Sequence, residues 1–297
     1  MASITTLPGV QWCPELSPGM KRRWEMPYKM VLLEKEDGVA TITLNRPEKL
    51  NAFNMEMTGE IDMAFDEAAR DKEVRAIILT GTGRAFSTGI DLNWAATLRD
   101  EELPSMASTV RGRMITHSEK SFLTVVLKIQ SIPKPVIAAI NGITMGGALV
   151  LALACDLRVA SENAELSMPQ AKRGLIPDGG GTYFLPRAVG LTKALELALI
   201  CDPFDAREAE RIGLINKVVP RENLMSAAKD MATKIAKNAP LAVAMTKAAM
   251  YKGVQEHDLA AHMDYEVYII NILFATEDFK EGISSIWEKR EPIFKGR

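Results

Sequence analysis

Two short stretches of this chain place glycine where backbone N–H groups can do chemistry. One is Gly83-Arg84-Ala85-Phe86-Ser87-Thr88-Gly89-Ile90-Asp91-Leu92, which follows the apolar run 75–80. The other is Asn141-Gly142-Ile143-Thr144-Met145-Gly146-Gly147-Ala148, set between the apolar runs 135–140 and 149–154. The spacing of the second stretch predicts a buried strand, a glycine turn and a buried helix. The first N–H groups of a helix have no partner inside it and lie at the positive end of its dipole. Glycine there lets a ligand oxygen approach the backbone closely, so an anion can be held without a charged side chain. Two such donors converging on one carbonyl oxygen would form an oxyanion hole.

The elements that must position these stretches follow from apolar spacing. Residues 39–44 alternate and read as a strand, 45–49 as a turn, and 57–70 as a helix with Ile61, Phe65, Ala68 and Ala69 on one side. Strands at 76–80, 136–140 and 157–160, a helix at 147–154 and helical spacing up to Ile129 give an α/β rhythm. In such folds buried strands read as continuous apolar runs. Further helices are predicted at 191–199 and 206–212, and a short strand at 217–219. From residue 221 onward the pattern is helical, at 224–236, 241–251, 258–273 and 278–289. We expect an irregular arm over 1–27, an α/β core over 28–215 and a helical region over 216–297.

With 297 residues, 47% hydrophobic and 25% charged, the chain has the bulk of a globular protein with a large core. A net charge of −2 gives no support to nucleic-acid or anionic-membrane binding, and no apolar run is long enough to span a bilayer. The arm has neither the basic start nor the apolar stretch of a secretory signal. Cys13, Cys155 and Cys201 are odd in number and widely spaced, which fits a reducing, cytoplasmic compartment and no metal motif.

These residues resemble the crotonase (enoyl-CoA hydratase/isomerase) superfamily. The resemblance rests on an ordered set: Asn45-Arg46-Pro47 through Asn51-Ala52-Phe53, Gly83 to Leu92, Lys134 to Gly142, and Gly146-Gly147. It continues with Ala154-Cys155-Asp156, Gly179-Gly180-Gly181-Thr182, Leu185-Pro186-Arg187 and Glu288-Lys289-Arg290. The resemblance implies a spiral of repeated ββα units, a helical C-terminal trimerisation region, and trimers that often pair into hexamers. It implies acyl-CoA thioester substrates, with coenzyme A as part of the substrate and no separate cofactor. It also implies that the N–H groups of Ile90 and Gly147 form the oxyanion hole. Leu50, Ala52, Ala85 and Phe86 match the family's coenzyme A contacts, and Lys289 matches a lysine reaching the phosphates from an adjacent subunit.

The departures from the family pattern are chemical. The two glutamates with which family hydratases move water and the α-proton fall here on Val150 and Gln170. Valine transfers no proton and glutamine only hydrogen-bonds, whereas hydration needs both a base and an acid. Asp178 remains, before Gly179-Gly180-Gly181, at a position where some isomerases of the superfamily carry an aspartate. One base suffices to move a double bond, and an apolar surround from Val150 would raise its pKa. An aspartate before glycine can equally cap the following helix.

Asp91 matches a position beside the hole, where ordering the loop is its expected role, and Trp94 is a candidate wall of the acyl pocket. His117 and Glu119 lie in the long connection 95–121 and could carry a second proton. His257 and His262 read as surface residues, and Tyr265 and Tyr268 reach a site only if their helix covers a neighbouring subunit. Three functions remain open: an enoyl-CoA isomerase, another crotonase-type hydratase, lyase or hydrolase, and a catalytically silent acyl-CoA binder. RNA binding is disfavoured, because the helix at 55–70 carries Glu56, Glu60, Asp62, Asp66 and Glu67.

Overall fold

A computed structural model describes residues 28–96 and 122–297. The expected arm 1–27, with Cys13, lies outside the described residues, as do His117 and Glu119 and most of the connection that holds them. In chain order the strands are β1 (Val31–Glu36), β2 (Val39–Leu44), β3 (Ala76–Gly81), β4 (Ala85–Ser87), β5 (Val136–Ile140), β6 (Ile143–Met145), β7 (Leu157–Ser161), β8 (Glu165–Ser167), β9 (Phe204–Asp205) and β10 (Lys217–Val219). The helices are α1 (Met55–Arg70), α2 (Leu92–Ala95), α3 (Phe122–Ser131), α4 (Gly147–Ala154), α5 (Gly181–Val189), α6 (Leu191–Ile200), α7 (Ala206–Arg211), α8 (Leu224–Ala236), α9 (Pro240–Gly253), α10 (Leu259–Phe274) and α11 (Glu277–Glu288).

The strands form two sheets. One has the order β1-β2-β3-β5-β7-β10 and the other β4-β6-β8-β9. β3, β5 and β7 each leave the large sheet, turn a corner, and continue as β4, β6 and β8 in the small one. Neighbouring strands of both series are parallel, so every ββα unit is the previous one displaced by one strand. This is the expected α/β spiral. The matching corner of each unit recurs at the same end of the sheets, and two of these corners are the glycine stretches singled out above.

Alternate residues of the large sheet serve two cores. Ile42, Leu44, Ile77, Leu79, Ala138 and Ile140 face α1, α3 and α4, while Val39, Ala76, Ile78, Ile137, Ala139 and Val159 face Leu224, Ala228 and Ala232 of α8. Burial on both faces explains the unbroken apolar runs of these strands. The sheet continues past residue 215, because β10 pairs with β7 and α8 covers its second face. α9 docks on the core through Lys247, whose Nζ lies 2.8 Å from Asp156, and through the Tyr251 hydroxyl, which donates to Asp156 at 2.8 Å. None of the residues of α10 is buried, and it exposes Leu259, Met263, Val267 and Ile270. Among the described residues no helix is long and apolar enough to cross a membrane.

Two local expectations need correction. The segment between β5 and α4 is not a plain glycine turn, since residues 143–145 form β6. The corner itself is Gly142, where a methyl group would sit 2.1 Å from the Arg84 carbonyl oxygen. β1 is absent from the sequence reading because its outward residues are charged and only Val31 is buried. Its place comes from antiparallel pairing with β2.

Candidate active site

The pairing of β4 with β6 sets the two glycine stretches side by side, with Ala85 opposite Ile143 and Ser87 opposite Thr144. Just beyond β4, Gly89 adopts φ +82, a conformation that side chains oppose. A methyl group on Gly89 would lie 2.7 Å from the Met145 carbonyl oxygen and 2.9 Å from the Gly147 nitrogen. Only glycine lets the two stretches touch.

Ile90 follows in a parallel bridge to Phe53. The Phe53 N–H donates to Gly89 O at 2.7 Å, and the Asp91 N–H donates to Phe53 O at 2.8 Å. The Ile90 N–H therefore points the opposite way. Gly147 is the first residue of α4, so its N–H has no carbonyl one turn back. A methyl group built on Gly147 would be 4.0 Å from the Ile90 nitrogen. The two predicted donors are thus brought together, one exposed and one half-buried, at the N-terminus of an otherwise buried apolar helix. That arrangement suits a developing oxyanion.

The first stretch is held by polar side chains that sequence reasoning missed. Asn51 is completely buried, and its Nδ2 lies within hydrogen-bonding distance of the carbonyls of Thr82, Ala85 and Phe86 at 3.0, 2.9 and 3.2 Å. The Ser87 hydroxyl donates to Asn51 O at 2.7 Å and accepts from the Gly89 N–H at 3.1 Å. Arg46 donates to Asp91 at 2.7 Å and to Ala52 O at 3.0 Å. Asp91 also accepts from the N–H groups of Asn93 and Trp94 at the start of α2. The Arg46 guanidinium holds the Asp91 carboxyl below the usual aspartate range. Asp91 therefore ties Arg46 to the start of α2. Leu50 and Asn51 are both left-handed, at φ +50 and +56, and Thr88 N–H donates to Leu50 O at 3.1 Å. Leu50, Ala52, Ala85 and Phe86 accordingly surround the first half-site, and the Phe86 ring points into the core, leaving its backbone for any contact. The sequence signal available was Asn51 itself, a polar residue in a turn with three carbonyls to satisfy.

The second half-site is apolar. Val150 is fully buried in α4, its Cγ1 3.7 Å from a methyl position on Gly179 and its Cγ2 3.0 Å from one on Gly181. Phe122, missed from sequence, stacks on Phe53 with centroids 5.6 Å apart. Its ring lies 3.7 Å from the methyl position of Gly147 and 2.6 Å from that of Gly179. One ring therefore walls both the hole and the loop that carries Asp178.

Asp178 does not cap α5. The N-cap is Gly180, without a side-chain bond, and the backbone hydrogen bond to the Asp178 carboxylate comes from its own N–H rather than from α5. Desolvation by the surrounding protein raises this carboxyl above the usual aspartate range, although the residue keeps part of its surface exposed. Gln170 is buried with its head against Gly146, and its Oε1 has no hydrogen-bond partner. An unmatched buried carbonyl of this kind costs about 1–3 kcal/mol. Trp94 is half-buried in α2 beside the first stretch. Lys289 ends α11 in a left-handed conformation, exposed, and no described contact brings it to the hole. His262 packs between α9 and α10, with Tyr265 beside it. Among the described residues no cluster of His, Cys, Asp and Glu could hold a metal ion.

Comparison with known proteins gives the family and agrees with the fold. The family described as enoyl-CoA hydratase/isomerase matches residues 34–297. A short-chain-enoyl-CoA hydratase of Clostridium acetobutylicum is 39% identical over 90% of this chain and 97% of its own length. The 1,2-epoxyphenylacetyl-CoA isomerase of Escherichia coli is 34% identical over 91% of this chain and 99% of its own. The crystal structure of an enoyl-CoA hydratase from Bacillus anthracis superposes with a TM-score of 0.83 at 34% identity, covering 91% of this chain and all of that one (100%).

Proposed function

The chain belongs to the enoyl-CoA hydratase/isomerase family, and from that premise we propose that it shifts a double bond in an acyl-CoA thioester, with Asp178 as its single proton carrier. The thioester oxygen is held by the N–H groups of Ile90 and Gly147. Asp178 removes a proton from one carbon of the acyl chain, the hole stabilises the resulting dienolate, and the same carboxylic acid returns the proton at another carbon. This shuttle requires no metal and no cofactor, and coenzyme A enters as part of the substrate. Each hole donor contributes about 3 kcal/mol to the transition state.

The observation that carries the reading is the Phe122 ring, which touches the positions of Gly147 and Gly179 and so ties Asp178 to the hole. The exposed Asp178 carboxylate supports it further, because it does not serve as the N-cap of α5. A base whose pKa is raised by its surroundings accepts and returns protons at comparable cost. Leu50, Ala52, Ala85 and Phe86 would line the coenzyme A path, and Trp94 and Val150 the acyl end. Lys289 would reach the phosphates of a neighbouring subunit's substrate in a trimer, for which the exposed apolar residues of α10 are the candidate contact. The competing reading is hydration, favoured by relatives named hydratases at up to 39% identity. It requires water activation with neither Val150 nor Gln170 able to move a proton.

The test is mass spectrometry of 2-enoyl-, 3-enoyl- and aromatic acyl-CoAs in deuterated water. Migration of the double bond with deuterium uptake, and no gain of water, is expected. Asp178→Asn should lower turnover by about a thousandfold while acyl-CoA affinity stays within a few-fold. An active variant, or a product heavier by one water, overturns the isomerase assignment. Binding without product from any thioester would mark a silent binder. Because Asp178 must be ionised to act and its pKa is raised, kcat/KM should fall with acidification at a pH above the ordinary aspartate value of about 4.

A further inference from the structure

The loop that carries Asp178 continues into residues with no side chains of their own to hold it. Gly179 and Gly180 take φ +68 and +103, conformations that glycine enters at no steric cost and leaves as easily. Each is covered by an aromatic ring. A methyl group on Gly179 would lie 2.6 Å from Cε1 of Phe122, which belongs to α3, and one on Gly180 would lie 2.6 Å from Cε2 of Phe184, which belongs to α5. Pro177 and Val150 close on Gly181 in the same way, at 2.9 and 3.0 Å. The rings therefore occupy the space that side chains on the loop would need. Phe122 is itself fixed, because it stacks on buried Phe53, whose backbone is bonded on either side of Ile90 to Gly89 and Asp91. Contact thus runs from the Ile90 half of the hole through Phe53 and Phe122 to Gly179, the residue next to Asp178.

We propose that Phe122 and Phe184 are positioning residues for the base: they clamp the Gly179-Gly180 turn between α3 and α5 and so hold the Asp178 carboxylate in register with the oxyanion hole. The proposal rests on the reading of Asp178 as the base and adds how the fold keeps it in place. Without the rings a turn of two glycines would let the carboxylate wander, and a displacement of about 1 Å at a reacting group can cost about a hundredfold in rate. Apolar rings packed on the loop also contribute to the desolvation that raises the Asp178 carboxyl. The two rings are separable. The groups nearest a methyl position on Gly147 are Phe122, Gly89 and Ile90, so Phe184 acts on the loop without walling the hole.

Hydrogen–deuterium exchange of the wild type, Phe122→Ala and Phe184→Ala reads the clamp directly. Exchange in the peptide spanning 177–184 should rise about tenfold in both variants, while β5 and β7 stay protected and report an intact fold. With a 3-enoyl-CoA substrate, kcat should fall about a hundredfold in Phe122→Ala and about tenfold in Phe184→Ala, with KM within a few-fold. The acid limb of kcat/KM in Phe122→Ala should move down toward the ordinary aspartate value of about 4. Phe122→Leu, which keeps an apolar side chain against Gly179, should recover most of the rate and stands in for Phe122→Ala if that variant does not fold. Unchanged exchange in the loop overturns the proposal, and so does a Phe184→Ala variant with wild-type kcat. A wild-type protein that shifts no double bond overturns the isomerase reading instead, and the exchange measurement still decides whether the clamp exists.

Discussion

The two halves of the oxyanion hole are built by opposite means. The Ile90 half hangs on side-chain polarity: Asn51 gathers three carbonyls, Ser87 links Asn51 to Gly89, and the Arg46–Asp91 pair closes the loop. The Gly147 half hangs on backbone and bulk, with β6 leading through Gly146 into a helix whose seven later residues are all buried. A loop lacks periodic hydrogen bonds of its own, so buried amides and charges must supply them. A helix satisfies its own backbone and needs only apolar packing to hold it. The first half should therefore respond to pH and to single polar substitutions, and the second to volume.

The largest effect is expected where the halves meet. Gly89→Ala drives a methyl group to 2.9 Å from the Gly147 nitrogen in a backbone conformation that alanine resists. Steady-state kinetics should show kcat reduced by about a hundred- to a thousandfold, the loss typical of one hole donor. A variant within tenfold of wild type would mean that the halves need not touch. On the apolar side, Leu149→Ala removes a fully buried side chain from the first turn of α4. Denaturant unfolding should register about 3 kcal/mol of lost stability at every pH, with kcat of the folded fraction within a few-fold. A strong pH dependence of that loss would contradict the division drawn between the halves.

The smallest effect is also the most diagnostic. Asp91→Asn removes the charge that pairs with Arg46 and should cost about 2 kcal/mol at neutral pH. The folded-state pKa of Asp91 lies below its unfolded value, so the stabilisation is present above the unfolded pKa and disappears as pH falls through the folded one. Wild type and variant should therefore converge in stability below about pH 4. A constant gap across that range would show that Asp91 acts through shape rather than charge.

Much of the spiral was legible because strand and helix periods are local properties. β2, β5, β10, α4 and α8 fall where apolar spacing places them. β1 was not legible, since a charged edge strand is defined by its partner rather than by its own pattern. The corner at Gly142 and the short strands β4 and β6 were hidden for a similar reason, because they lie inside glycine stretches and are defined by pairing with each other rather than by an apolar period. Of the candidate site, Gly147 and Asp178 announced themselves by residue type. Phe122 did not, being one phenylalanine among nine until the fold set it against two glycines.

The sequence alone determined the α/β rhythm, the two glycine stretches, and the replacement of both hydratase glutamates by Val150 and Gln170, each a matter of residue type and near-neighbour spacing. The tertiary structure decided that the Ile90 and Gly147 donors sit together, that Phe122 touches both the Gly147 position and the loop that carries Asp178, and that the buried Gln170 Oε1 has no partner. Those facts depend on contacts between residues dozens of positions apart. No local pattern encodes such contacts, because they exist only once the two sheets and their helices have packed around a common core.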